Sequence, residues 1–141
     1  MSTNWANDIA DMHNKYGVHD WFEANKDNKE LMDKYLNFRM LMLMEELHET
    51  MKAVQADNAE EIVDGLIDLC VFAIGTLDVF GVDANVAWDE VYRANMDKKA
   101  GVKPGRPNPF GLPDLLKPGG WTPPKHTDNH GDFPNKWPPG E

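Results

Sequence analysis

Apolar residues recur every three or four positions through the first hundred residues, and then the period is lost. Trp5, Ile9, Met12 and Tyr16 mark one face of a first amphipathic helix that ends at Gly17. Val18 to Asn28 is polar with interspersed aromatics and reads as a connection. From about Lys29 to Gln55 the stripe Met40, Leu43, Met44, Leu47, Met51, Val54 predicts one long helix with its methionines in the core. Asp57-Asn58-Ala59-Glu60 reads as a capping box opening a third helix that reaches about Phe80. That helix is apolar on two sides, with Ile62, Leu66, Leu69, Ala73 and Leu77 on one and Val63, Ile67, Cys70 and Ile74 on the other. Such coverage predicts a central position. Gly75 and Thr76 leave room for another helix to approach. Gly81 can end the helix and Asp83 can cap a last one, about Ala84 to Lys99. The stripe Ala87, Val91, Ala94 continues through Asn95 and Lys98, so both are expected to face inward. No β-strand is expected.

All ten prolines and seven of the eleven glycines fall in residues 101–141, which sets a composition boundary near Ala100. The chain therefore reads as an all-α body, residues 1–100, a bundle of four to five helices, followed by a Pro/Gly-rich extended tail, residues 101–141. At 141 residues it suffices for one core. Trp121 and Trp137 lie among the tail's prolines. Disordered tails are poor in aromatics, so the tail is expected to pack on the body or on a partner subunit.

Charge narrows the partners. The formal net charge is −10, and residues 1–100 hold 20 acidic against 9 basic side chains. A body this acidic repels a nucleic-acid backbone, so no polymer partner is expected. No apolar run reaches membrane-spanning length, and Met1 to Asp8 shows no signal-peptide pattern. The one cysteine, Cys70, excludes an internal disulfide framework and a cysteine zinc site. A cytoplasmic setting is expected, the cytoplasm of an infected host included.

The candidate chemistry lies in two acidic clusters, Glu45-Glu46-Leu47-His48-Glu49 and Glu61-Ile62-Val63-Asp64, the latter followed by Asp68. Residues three or four apart share a helix face. Glu46 and Glu49 point one way together, as do Glu61, Asp64 and Asp68. The short stretch Ala53 to Ala59 between them suits antiparallel helices with facing carboxylates. Acidic faces often serve only solubility, a role open to Glu45, Glu60 or Asp78, and first-turn Glu61 also suits the helix dipole. Two clusters in phase, one on an apolar helix, favour a metal site. Its hard oxygen ligands suit Mg²⁺, with Mn²⁺ able to substitute. A di-iron site would need Glu-x-x-His on two helices. Glu45-x-x-His48 supplies one, but His13, His19, His126 and His130 all lack a Glu three residues before.

These residues resemble the all-α nucleotide pyrophosphohydrolases of the MazG-like group, whose relatives include the dimeric dUTP/dCTP pyrophosphatases and the phosphoribosyl-ATP pyrophosphohydrolases. The likeness runs from the two acidic clusters through Gly75-Thr76, Gly81-Val82-Asp83 and Ala87-Trp88 to Val91-Tyr92-Arg93-Ala94-Asn95-Met96-Asp97-Lys98. Lys117-Pro118-Gly119-Gly120-Trp121 and the segment Met12-His13 to Val18-His19 look like the small stand-alone versions common in phage genomes.

The resemblance implies hydrolysis of a nucleoside triphosphate to the monophosphate and pyrophosphate, tuning a nucleotide pool. By motif, Glu46, Glu49, Glu61 and Asp64 would hold Mg²⁺, with Asp68 a further outer ligand. Glu45 would support a second ion or orient the attacking water. Asn95 and Lys98 would contact the triphosphate, Lys98 near the leaving pyrophosphate, with Arg93 a further candidate. Trp21 could stack on the base and Asn25 read its edge, although packing of the first helix explains both equally. The excess apolar coverage of the third helix predicts a homodimer or a dimer of dimers. Phosphoribosyl-ATP hydrolysis, or a non-catalytic acidic helical module, are the alternative functions.

Overall fold

The computed structural model describes residues 1–135; Trp137 lies outside the described residues. Five helices dominate: α1 (Trp5–Lys15), α2 (Val18–Asn25), α3 (Lys29–Gln55), α4 (Ala59–Val79) and α5 (Ala84–Met96). The fold is all-α. The described residues divide into two compact units, residues 1–84 with 130–135, and residues 85–129. The composition boundary near Ala100 falls inside the second of these.

In the first unit, asparagines start three of the helices. Asn4, Asn28 and Asn58 each accept, through the side chain, a backbone N–H three residues on, which satisfies a donor that the first turn leaves free. The cap of α4 is therefore Asn58, one residue later than the capping box expected. Asp57 instead takes a left-handed conformation, φ 52°, in the turn from α3. The segment after Gly17, expected as a loop, is the helix α2. Two turns are too few to show a period, and Gly17 at φ 77° makes the sharp exit from α1. At the other end of α4, Gly81 (φ 82°) donates to the Asp78 carbonyl and Val82 to that of Leu77, a Schellman termination.

Helix α4 packs against α1, α2 and α3, which is the central role its sequence predicts. The core gathers at its C-terminal end, where Phe22, Met32, Val79 and Phe80 are buried among Val18, Leu31, Tyr35, Leu36 and Phe133. Phe80 meets Phe22 edge-on at 5.2 Å and stacks on Phe133 at 4.6 Å. Phe133 arrives there because the Asp132 N–H donates to the Phe80 carbonyl (2.6 Å) and Gly131, at φ 54°, lies against that carbonyl, where a side chain would overlap it. The expected core stripe of α3 is not buried within this chain. Met40, Met44, Leu47, Met51 and Val54 are exposed, as are Val63, Leu66 and Ile67 on α4. The residues that α3 does bury are Met32, Thr50 and Ala53.

In the second unit, α5 ends at Met96, short of Lys99, and the chain enters a small antiparallel ribbon, β1 (Lys99–Gly101) with β2 (Asp114–Leu116), in register Ala100 to Leu115. Three-residue strands carry no readable alternation, so the expectation of no strand is corrected here by pairing that only the fold decides. The proline-rich segment is held by specific contacts. Trp121 donates its indole N–H to the Ala94 carbonyl (2.7 Å), with the ammonium groups of Lys98 and Lys117 over its ring.

Candidate metal and phosphate site

Glu46 and Glu49 on α3, with Glu61, Asp64 and Asp68 on α4, line a single cleft of about 240 Å³. Its remaining walls are Thr50 and Gly65, which the sequence reading did not single out. Thr50 is buried, and its hydroxyl donates to the Glu46 carbonyl at 2.7 Å. A Cβ at Gly65 would overlap that hydroxyl oxygen. The glycine thus lets α4 pass close to α3 at the level of the carboxylates. One signal was available: Thr50 follows Glu46 by one helical turn, and Gly65 follows Asp64 directly.

The cleft concentrates negative charge. The Glu46 carboxyl is pushed above the ordinary glutamate range, first by burial and then by the charges of Asp68, Glu49, Glu45 and Asp64. Among the described residues, none of the five lining carboxylates forms an ion pair with a lysine, arginine or histidine. Hard oxygen donors without a protein counter-charge are the donor set that Mg²⁺ or Mn²⁺ takes. The residues therefore fit the expected ion. Glu45 and His48, beside the cleft on α3, are exposed.

The other expected site residues are placed as follows. In the second unit, Asn95 is exposed rather than inward, since the stripe of α5 closes at its buried Ala94. Lys98 is half-buried beside Trp121. The Arg93 guanidinium uses all three nitrogens, bonding to Glu90, Asp97, the Thr122 hydroxyl and carbonyl, and the Pro123 carbonyl. Glu90 also accepts the Lys125 N–H. That bond, then Arg93, holds the Glu90 carboxyl below its usual range, and Arg93 is raised in turn, first by its bond to Glu90. In the first unit, Trp21 packs on Tyr35 with ring centroids 4.8 Å apart, and the Asn25 amide donates to the Trp21 carbonyl at 2.7 Å.

One cluster escaped sequence reading entirely. His13 Nδ1 and His19 Nε2 both lie 2.7 Å from the same oxygen of Asp78. Asp78 is therefore not a merely solvated acid. It is half-buried at the end of α4, joined to α1 and α2, and separations of 59 and 65 residues leave no local pattern.

The family model of phosphoribosyl-ATP pyrophosphohydrolase (PRA-PH) matches residues 17–95, a span that contains every carboxylate of the cleft. The match defines an all-α hydrolase of acid anhydrides, a pyrophosphohydrolase acting on nucleoside triphosphates. The chain belongs to the phosphoribosyl-ATP pyrophosphohydrolase family. No curated protein and no solved structure matches it.

Proposed function

We propose that the chain hydrolyses a nucleoside or deoxynucleoside 5′-triphosphate to the monophosphate and pyrophosphate in a Mg²⁺-dependent reaction, tuning a nucleotide pool. The observation that carries this reading is the cleft itself: five carboxylates from α3 and α4, without basic partners among the described residues, within the matched family span. Glu46, Glu49, Glu61 and Asp64 would hold the ion, with Asp68 further along α4. When bound, Mg²⁺ supplies charge neutralisation for phosphate oxygens that a cleft this acidic would otherwise repel.

The chain's own residues account for the rest. The buried Thr50 and the Gly65 backbone fix the spacing of the two carboxylate-bearing helices. Glu45, exposed beside the cleft, is the carboxylate proposed to orient the attacking water. Asn95 and Lys98 enter through the motif, as the amide and ammonium assigned to the triphosphate. Arg93 is left out, because its donors are spent within its own unit.

A second reading is favoured by the family match: the triphosphate belongs to phosphoribosyl-ATP. The bond broken is of the same kind in both readings. Incubation with Mg²⁺ and a panel of NTPs, dNTPs and phosphoribosyl-ATP, with products resolved by chromatography, separates them. Monophosphate and pyrophosphate from ordinary nucleotides supports the first reading, and turnover of phosphoribosyl-ATP alone supports the second. If no substrate yields pyrophosphate, both fail.

The exposed stripe from Met40 to Val54, with Val63, Leu66 and Ile67, supports a homodimer or dimer of dimers. Light scattering coupled to size exclusion tests it, and a monomeric mass at micromolar concentration sinks the proposal.

A further inference from the structure

Away from the carboxylate cleft, three helices converge on one oxygen atom. His13 on α1, His19 on α2 and Asp78 on α4 place their nitrogen and oxygen atoms within 4.8 Å of one another. The two rings meet edge to face, centroids 5.9 Å apart at 86°. We infer that this His13–His19–Asp78 cluster is a second metal site, distinct in chemistry from the first, that takes a zinc-class divalent ion and ties α1 and α2 to the end of α4.

The donor set argues for this ion. Two imidazoles and one carboxylate are borderline ligands suited to Zn²⁺ or Co²⁺, whereas the all-carboxylate cleft suits hard Mg²⁺. The size fits too. Ligands at about 2.0–2.1 Å from a tetrahedral Zn²⁺ stand roughly 3.3 Å apart. The present 2.7 Å separations to Asp78 Oδ2 need only a small outward shift to admit the ion.

The surroundings keep the three ligands available. Gly75, one turn before Asp78 on α4, is buried, and a Cβ there would press on the His13 ring at 3.1 Å and on Arg39 Nη2 at 2.7 Å. A side chain at position 75 would thus crowd His13. Arg39, which lies beside Gly75, does not take up Asp78 among the described residues. Its guanidinium donates to the Thr76 hydroxyl and the Phe72 carbonyl and lies over the Phe72 ring. Access is open: side-chain exposure is 13% for His13, 19% for Asp78 and 38% for His19, so an ion can enter past His19 and solvent can complete its coordination. Three protein ligands plus water is a normal zinc set.

The test uses the full chain, stripped of metal and held in excess Mg²⁺ to fill the carboxylate cleft. Co²⁺ is titrated while its visible d–d absorption is followed, and Zn²⁺ is then added. The expected result is one Co²⁺ per chain in a low-symmetry nitrogen–oxygen site, displaced by one equivalent of Zn²⁺, with Zn²⁺ also raising the thermal midpoint. His19→Ala should weaken Co²⁺ binding at least about tenfold. His19→Gln, which preserves a polar side chain at this half-exposed position, should do the same with the helical signal intact. The double variant Glu49→Gln/Asp64→Asn should retain the Co²⁺ spectrum. Absence of any Co²⁺ spectrum in the unaltered chain overturns the inference. So does a spectrum lost in Glu49→Gln/Asp64→Asn but kept in both His19 variants. None of these readouts depends on hydrolysis, so the inference stands or falls apart from the proposed activity.

Discussion

Gly65 on α4 lies directly against the side chain of Thr50 on α3, so closely that a methyl group at position 65 would overlap the Thr50 hydroxyl oxygen. The two residues form part of the wall of the carboxylate cleft. The hydroxyl is itself tied to the Glu46 carbonyl, so it cannot swing away without losing a hydrogen bond. The contact sets how near the two acidic faces come.

Gly65→Ala is therefore expected to destabilise the chain. Alanine gains about 1 kcal/mol of helix propensity over glycine. Overpacking against a fixed neighbour costs about 1–3 kcal/mol, and here the neighbour is short and hydrogen-bonded, so overpacking wins. Chemical denaturation should show the loss, and the double variant Gly65→Ala/Thr50→Ala should be less destabilised than the sum of the singles. A Gly65→Ala variant more stable than the parent would contradict the contact.

The raised Glu46 carboxyl has a consequence for pH. A carboxyl that binds its proton more tightly in the folded state than in the unfolded one weakens folding as pH rises through the interval between the two values. In the absence of divalent ions, this group's contribution is most favourable below the ordinary glutamate range and is lost above its raised folded value. A bound cation should offset that loss at neutral pH. The rise in thermal midpoint on adding Mg²⁺ should thus be largest near pH 7 and shrink as protons compete for Glu46. Thermal melts with and without Mg²⁺ from pH 4.5 to 7.5 check this. A Mg²⁺ shift that grows on acidification runs against it.

In the second unit, Arg93 joins α5 to Thr122 and Pro123, while Glu90 holds the Lys125 N–H. Arg93→Ala should raise amide hydrogen exchange locally, around residues 121–125, with little change in the core around Phe80. Unchanged exchange in that segment would show that Trp121 and the Glu90–Lys125 bond hold it without Arg93. Because Glu90 titrates below its usual range, its contribution is present at neutral pH and is lost as pH falls from the ordinary glutamate range through that lowered value.

Much of this molecule was legible in the sequence, and the reason differs by element. The bounds of α3 and the Gly81 stop followed from periodicity over many turns and from glycine's access to positive φ. The convergence of Glu46, Glu49, Glu61, Asp64 and Asp68 followed from spacing alone, because helical phase places residues three and four apart together. Helix α2 was missed because eight residues carry too little period, and β1–β2 because pairing of such short strands is decided by the fold. The Met40 to Val54 stripe marks one face of a helix, but that face is exposed rather than in the expected core, because a stripe does not say whether its cover lies in the same chain. The His13–His19–Asp78 meeting is wholly tertiary and left no trace in local pattern.

Pyrophosphate release from the preferred substrate across a Mg²⁺ titration asks whether the carboxylates of α3 and α4 hold the ion required to cleave a nucleotide triphosphate. The unaltered chain and Asp64→Asn are compared, with far-ultraviolet circular dichroism confirming that both are folded. The expected result is saturable Mg²⁺-dependent release that EDTA abolishes, with Mn²⁺ able to replace Mg²⁺, and a drop of at least about 100-fold in Asp64→Asn. Release that persists in EDTA, or an Asp64→Asn chain as active as its parent, would contradict it.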